Sequence, residues 1–132
     1  MKMLRVVLVM SCFIISGCLT PRTEYWVLQG NVVEIKSKLA IDNVAVFLSA
    51  DELTIVNHTQ YTNSSGVFRH YPYSTELFSF NDLKKVTFNF KFSRDGYISV
   101  DTMILGSALR YGTEGNYEDT LYLDSIFLNP IP

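Results

Sequence analysis

Apolar and polar residues alternate along most of the chain beyond residue 24. In residues 86–92, one valine and three phenylalanines fall on one face of an extended chain, and threonine, asparagine and lysine fall on the other. Val44, Val46 and Leu48 share a face in the same way. A period of two residues is typical of a strand with one buried and one solvated face. Both segments are therefore predicted to be β-strands.

Further strand-like segments are separated by turn signals, and no convincing helical period appears. These segments are residues 25–35, 53–62, 67–71, 97–104 and 121–128. The turns include Asn63-Ser64-Ser65-Gly66 and Arg94-Asp95-Gly96. Gly30, in the middle of the first segment, indicates a bulge or a close backbone approach. We expect an all-β, antiparallel sandwich of about seven strands, with an ambiguous segment at 73–85 and a long connection at 105–120.

The N-terminus has the pattern of a targeting segment. Lys2 and Arg5 precede an apolar run at 6–15, which is too short to span a bilayer. The following Ile15-Ser16-Gly17-Cys18 resembles the lipobox of bacterial lipoprotein signal peptides. The resemblance implies cleavage between Gly17 and Cys18, and lipidation of Cys18. We therefore predict a signal peptide at 1–17, a lipidated tether at 18–24 and a β-sandwich domain at 25–132.

Two alternatives for this segment stay open, namely an ordinary secretory signal with an incidental cysteine, and lipidation at Cys12. In well-studied enterobacterial lipoproteins, an acidic residue after the lipidated cysteine favours the inner membrane, and here that residue is Leu19. We therefore expect a lipid-anchored location in the bacterial cell envelope, at the outer membrane facing the periplasm. Cleavage would leave Cys18 as the only cysteine, so no internal disulfide is expected.

Composition narrows the class of protein. The chain has 132 residues, of which 48% are hydrophobic, which is enough for the core of one domain. The net charge of −2 and the absence of a basic run argue against nucleic-acid binding. The two histidines, His58 and His70, are predicted to be ordinary strand residues, and neither a metal nor another cofactor is expected. No catalytic serine motif or phosphate-binding loop occurs, so no catalytic residue is predicted.

The domain resembles carboxypeptidase-regulatory-like domains, which have a transthyretin-like (prealbumin-like) β-sandwich. The matching pieces run in family order over about residues 28–105: Gly30-Asn31-Val32, the segment 41–48, Thr62 to Phe68, and Phe90 to Tyr97. Domains of this family usually accompany enzymes or transporters and lack activity themselves. The resemblance therefore implies a β-sandwich without catalytic activity of its own.

The connection at 105–120 contains Tyr111, Tyr117 and Glu118, which we take as a candidate binding loop, because loops carry the function of many sandwiches. The acidic residues there also leave a calcium site open. Together these observations predict a non-enzymatic binding or structural module of the cell envelope, with the membrane and an envelope protein as partners. Two alternatives remain, namely an outer-membrane tethering component of a type VI-like secretion assembly and a small carbohydrate-binding protein.

Overall fold

A computed structural model describes residues 24–74, 80–114 and 118–132, and β-strands dominate them. The signal peptide, Gly17 and Cys18 lie outside these residues. The strands are β1 (Glu24–Glu34), β2 (Ala45–Ala50), β3 (Thr54–Ile55), β4 (Thr59–Tyr61), β5 (Val67–His70), β6 (Pro72–Ser74), β7 (Thr87–Ser93), β8 (Val100–Leu105), β9 (Arg110–Glu114), β10 (Glu118–Tyr122) and β11 (Ile126–Leu128). A short helix, α1 (Phe80–Leu83), and a 3-10 turn at Gly106–Ala108 complete the fold. The all-β prediction is confirmed.

The larger of the two sheets is built around β1. Strands β6 and β5 pair with one side of β1 in antiparallel orientation. Strands β10 and β11 pair with its other side in parallel orientation. Strand β3 extends this seven-stranded sheet beyond β6, and β9 extends it beyond β10. The prediction of a purely antiparallel sandwich of about seven strands is therefore wrong in two respects, since this sheet is mixed and the described residues contain eleven strands.

The smaller sheet is antiparallel, with the order β4-β2-β7-β8. Strands β2 and β7 lie in its middle and contain the two segments with the clearest alternation in the sequence. Val46, Leu48, Phe88, Phe90 and Phe92 are all fully or nearly fully buried. Their strand neighbours point to the opposite face and are at least partly exposed. The period-two prediction for these strands is therefore confirmed.

The core lies between the two sheets. Leu28, Val32 and Phe68 come from the larger sheet and belong to the same buried cluster as the phenylalanines of β7. The Phe68 ring meets the rings of Phe90 and Phe92 edge-on, with centroids 6.1 and 5.6 Å apart. Such edge-to-face contacts add to the stabilisation from burial. The core therefore holds the inner face of the smaller sheet fixed, and its outer face points away from the core.

The predicted turn at Gly66 and the predicted close approach at Gly30 are both confirmed. Gly66 has φ +73°, and the Asn63 side chain accepts hydrogen bonds from the backbone N–H groups of Ser65 and Val67, both at 3.0 Å. Gly30 permits a close approach, because a Cβ built there would lie 2.6 Å from the Phe68 ring. The turn therefore fixes the path from β4 to β5, and Gly30 lets Phe68 cross over β1.

The predicted connection at 105–120 is mostly regular structure. It contains the 3-10 turn and the paired strands β9 and β10, with Tyr111 opposite Leu121 and Glu118 opposite Glu114. The prediction of a long loop is therefore wrong. Strands β9 and β10 pair with each other close in the sequence, but a Gly- and Tyr-rich stretch gives little alternation to indicate them. Within the described residues, no helix has the length and apolar character needed to cross a membrane.

Candidate functional site

The outer face of the smaller sheet carries a shallow depression of about 600 Å³. We call its lining the outer-face site: Phe47, Ser49, Asn89, Phe90, Lys91, Asp101, Thr102 and Met103. Six of these residues occupy odd-numbered positions in β2, β7 and β8, whose side chains point away from the core. Strand alternation alone brings them together, because the three strands are adjacent and their outward positions are in register.

The register arranges the outer-face site in two rows. Phe47 lies opposite Lys91, and Lys91 lies opposite Asp101. In the next row Asn89 lies between Ser49 and Met103. Directly opposed residues on one face have Cβ atoms about 5 Å apart, so both rows offer contiguous side chains. The site thus combines an aromatic ring, a thioether, an amide, a hydroxyl and both signs of charge.

Phe47 and Met103 are the apolar parts of this site. The two side chains are 43% and 75% exposed, although neighbouring residues on their strands are in the core. The Phe47 ring stacks on the imidazole of His58, with centroids 5.6 Å apart and an interplanar angle of 21°. Nδ1 of His58 is 2.9 Å from the Leu48 carbonyl, which can only accept, so Nδ1 carries the proton. His58, itself bonded to the Leu48 carbonyl, therefore holds the Phe47 ring in a fixed orientation.

Lys91 and Asp101 bring opposite charges to the middle of the site. They are cross-strand neighbours, and both are exposed. Ion pairs such as Arg94–Asp42 and Arg110–Asp124 occur in the described part of the chain, but none there joins Lys91 to Asp101. Their hydrogen-bonding capacity is directed to solvent. The pair can consequently engage a polar ligand without first breaking a salt bridge.

A second depression, of about 710 Å³, lies at one end of the smaller sheet, beside the turn that joins β7 to β8. Two of its polar side chains, Arg94 and Tyr97, are engaged by carboxylates outside the lining. Arg94 pairs with Asp42 at 3.0 Å, and the Tyr97 hydroxyl donates to Glu34 at 3.0 Å. The hydrogen bond to the Glu34 carboxylate, followed by burial, raises the pKa of Tyr97 above its ordinary value of 10.0. These contacts hold the side chains of Arg94 and Tyr97 in place, whereas Lys91 and Asp101 of the outer-face site do not pair with each other.

The two histidines do not form a metal centre. His70 is fully buried, and its Nε2–H donates to the Val46 carbonyl at 2.8 Å. Desolvation lowers the pKa of His70 below its ordinary value of 6.5, and the backbone of Val46 and of Asn57 partly offsets this effect. Among the described residues, no group of three or more His, Cys, Asp and Glu side chains could hold a metal ion.

The candidate binding loop is not confirmed as a site. Tyr111 lies in β9 of the larger sheet and is 51% exposed, and Glu118 lies in β10. Tyr117 falls outside the described residues, as do Gly17 and Cys18. The outer-face site lies on the other sheet, and sequence reasoning missed it. A signal was present, since Phe47 is an apolar residue on the face that alternation assigns to solvent.

No protein-family model matches the sequence, and no curated protein matches it. Among the solved structures that share the fold are two dioxygenases. The first is 3-chlorocatechol 1,2-dioxygenase from Rhodococcus opacus 1CP, with a TM-score of 0.56 and 9% identity over 86% of this chain. The second is the dioxygenase domain of a dioxygenase carbohydrate-binding protein fusion from the cellulolytic bacterium Streptomyces sp. SirexAA-E, with a TM-score of 0.55 and 14% identity over 83% of this chain. The alignments cover 62% and 82% of those two chains, so this chain matches about three fifths of the first.

These likenesses correct the functional prediction. A non-enzymatic binding or structural module was expected because the resembling domains lack activity. The secretion-assembly alternative came from the size and architecture of the chain, and the carbohydrate-binding alternative came from the segment at 105–120. These two solved structures are instead dioxygenases, so the fold is one that enzymes use. At 9 and 14% identity the likeness shows the fold alone. Function must therefore be argued from the residues of the site.

Proposed function

We propose that the domain binds a small aromatic compound that carries hydroxyl groups, and that it does so at the outer-face site. The supporting observation is the exposed Phe47 ring, which is held by His58 in the same row as Lys91 and Asp101. A flat ring can stack on Phe47 and contact the Met103 thioether, which binds aromatic rings favourably. The nearby carboxylate, amide and ammonium groups then hydrogen-bond the hydroxyl substituents.

The polar groups favour hydroxylated rings over plain hydrocarbons. Asp101 accepts a hydrogen bond from a hydroxyl group, Lys91 donates one, and the Asn89 amide does both. Since Lys91 and Asp101 are opposed across two strands, two adjacent hydroxyls on one ring can reach both groups. One structural neighbour is named for 3-chlorocatechol, and that aromatic diol supplies the first probe for this chain.

Binding can be measured by equilibrium dialysis of the full chain in phospholipid nanodiscs, with empty nanodiscs as the blank. We expect saturable uptake of 3-chlorocatechol and weaker uptake of chlorobenzene. Phe47→Ala is expected to weaken binding about tenfold, because a ring contact contributes on the order of 1 kcal/mol beyond burial. Phe127→Ala is the matched control, since Phe127 is also 43% exposed but lies on the other sheet. Equal losses in the two variants, or no saturable binding by the wild type, would refute the proposal.

We also propose that Cys18 is the lipid attachment site and that the domain is anchored in the bacterial cell envelope. The support is the sequence Ile15-Ser16-Gly17-Cys18 after a ten-residue apolar run. Intact mass of the membrane-extracted protein tests this proposal. A mass equal to residues 18–132 plus three acyl chains and glycerol is expected, and Cys18→Ala should abolish it. An unacylated mature wild type would refute anchoring and leave the outer-face proposal untouched.

The narrower description of the fold as transthyretin-like is likewise a proposal. It is supported by the turn at Gly66, with φ +73°, and by the burial of Phe68 two residues later. Both features agree with the hairpin that carries the resemblance to carboxypeptidase-regulatory-like domains. An experimental structure with a different strand order from that family would refute it.

A further inference from the structure

Strand β8 is an open edge of the smaller sheet. It pairs with β7 on one side, and within the described parts of the chain no strand pairs with its other side. It is six residues long, Val100–Leu105, and carries a single charge, at Asp101. The other described strands with a single strand partner are all shorter, namely β3, β4, β5, β9 and β11. The longest of them, β9, begins with Arg110 and ends with Glu114. A long edge with little charge is a template for pairing with another strand.

The hydrogen-bonding direction along this sheet identifies the unused groups of β8. The Leu48 N–H donates to His58, so even-numbered residues of β2 bond toward β4 and odd-numbered ones toward β7. Alternation then directs the even-numbered groups of β7 toward β8, as the bond from the Gly106 N–H to the Val86 carbonyl shows. The backbone groups of Asp101, Met103 and Leu105 therefore point to the open edge.

The side chains of those same three residues lie on the outer face. Met103 and Leu105 are 75% and 53% exposed, which is unusual for two large apolar residues on one short strand. Val100 and Ile104 pack against the core from the other face and hold the strand in place. Strand β8 thus presents a rigid row of free backbone groups next to exposed apolar side chains.

We propose that two copies of this chain associate through antiparallel pairing of their β8 strands, with Met103 opposite its own copy. In this register Asp101 faces the partner's Leu105, and three residue pairs exchange six backbone hydrogen bonds. All the free groups of the open edge are used, and an antiparallel strand pair is self-complementary under a two-fold axis. The two four-stranded sheets then form one continuous sheet of eight strands.

The charge and side-chain arrangement favours a second copy as the occupant. The two Asp101 carboxylates stand four residues apart along the paired strands, at about 14 Å, which exceeds the screening length in physiological salt. No like charges face each other across the axis. Met103 lies beside the partner's Met103, so the most exposed apolar side chain of the outer face gains an apolar neighbour across the axis.

This pairing extends the outer-face site. Met103 and Asp101 line that site and also lie on the pairing strand, so the partner's Met103 stands one strand spacing, about 4.8 Å, beyond its rim. The two sites become neighbours on one continuous face. The association rests on the edge of β8 and stands whether or not the site binds an aromatic ligand.

Disulfide cross-linking of the full chain tests the register. After mild oxidation of the membrane-extracted protein, Met103→Cys should give a band of twice the monomer mass on non-reducing electrophoresis. Asn89→Cys is the matched control, because it lies on the same face one strand further from the axis, and the two copies are then about 14 Å apart. Asp101→Cys and Leu105→Cys should cross-link when the two variants are co-expressed, and neither should do so alone. The wild-type chain, oxidised in the same way, is the control for any cross-link formed by Cys12 or Cys18.

Met103→Pro tests the hydrogen bonding. It removes an N–H that faces the open edge and leaves every bond to β7 intact, so the domain should fold and the mixed 101/105 cross-link should disappear. Equal cross-linking of Met103→Cys and Asn89→Cys, or an undiminished mixed cross-link in the proline variant, would overturn the proposal. If the proline variant does not fold, as judged by Trp26 fluorescence, the comparison of cysteine variants alone decides.

Discussion

His70 makes the stability of this domain dependent on pH near neutrality. Its ring lies in the core between Phe68 and Phe90, with centroids 6.3 and 6.4 Å away. Nε2 has a partner in the Val46 carbonyl, and Nδ1 is buried without a hydrogen bond. Burial lowers the pKa of His70 because a charged ring would lose its hydration there. The folded protein therefore holds this ring neutral.

The sign of the effect follows from the protons bound in each state. Below about pH 6.5 the unfolded chain takes up a proton at His70, whereas the folded chain resists doing so until its lower pKa is reached. The contribution of His70 to the free energy of unfolding is therefore present above about pH 6.5, and it is lost as the pH falls below that value. A single proton can remove at most about 1.4 kcal/mol between about pH 7.5 and about pH 5.5.

The assay is urea unfolding of the full chain at these two pH values, followed through the single tryptophan, Trp26, which is 4% exposed. His70→Gln should abolish most of the pH-dependent loss, whatever its own stability. His58→Gln is the control, since His58 is exposed and should leave the loss in place. The same slope in wild type and His70→Gln would refute the reasoning, as would a wild type that gains stability on acidification.

Three further substitutions test the backbone and the core. Gly66→Ala should lower the free energy of unfolding by about 2 kcal/mol or more, because φ is +73° and the new Cβ would lie 2.6 Å from the Val32 carbonyl oxygen. Gly96→Ala is the control and should cost only about 1 kcal/mol, since φ is +87° there but nothing lies within 4 Å of the new Cβ. Equal urea midpoints for the two variants would contradict this prediction. Thr62→Val should lower the free energy of unfolding by about 2–4 kcal/mol, because the buried hydroxyl accepts a hydrogen bond from the Val44 N–H at 2.9 Å and donates one to the Ile41 carbonyl at 2.7 Å. A melting temperature unchanged from the wild type would contradict this prediction. Gly30→Ala should destabilise the fold by clashing with the Phe68 ring, and Phe68→Leu in the same chain should partly relieve that loss; simple additivity in a double-mutant cycle would show that the clash is absent.

Alternation predicted the central strands of the smaller sheet because that sheet has one buried and one solvated face. Phe88, Phe90 and Phe92 belong to the buried cluster, and the rings of Phe90 and Phe92 pack against Phe68. The alternation of apolar and polar residues could not predict that β1 pairs in parallel with β10 and β11, because side chains alternate with the same period in parallel and antiparallel strands. Strand orientation depends on the path of the intervening chain, which local sequence does not encode.

The outer-face site was missed for a related reason. Lys91 and Asp101 are ten positions apart and look like ordinary solvated residues until the register of β7 and β8 places them opposite each other. Phe47 was the informative exception, being apolar on a solvent-facing position. Tyr111 and Glu118 were predicted to lie in a binding loop because their segment shows no alternation of apolar and polar residues. In the structure they lie in the paired strands β9 and β10.

The central position of β1 has a consequence for how the domain folds. Its pairing partners include β10 and β11, so the first strand of the domain is completed by the last two. Contacts between the two ends of a chain raise the contact order, and such topologies fold slowly. During synthesis, β1 must wait unpaired on this side until residues 118–128 have emerged. Until then the side of β1 that pairs with β10 and β11 stays open, so the larger sheet cannot be completed before these two strands are available.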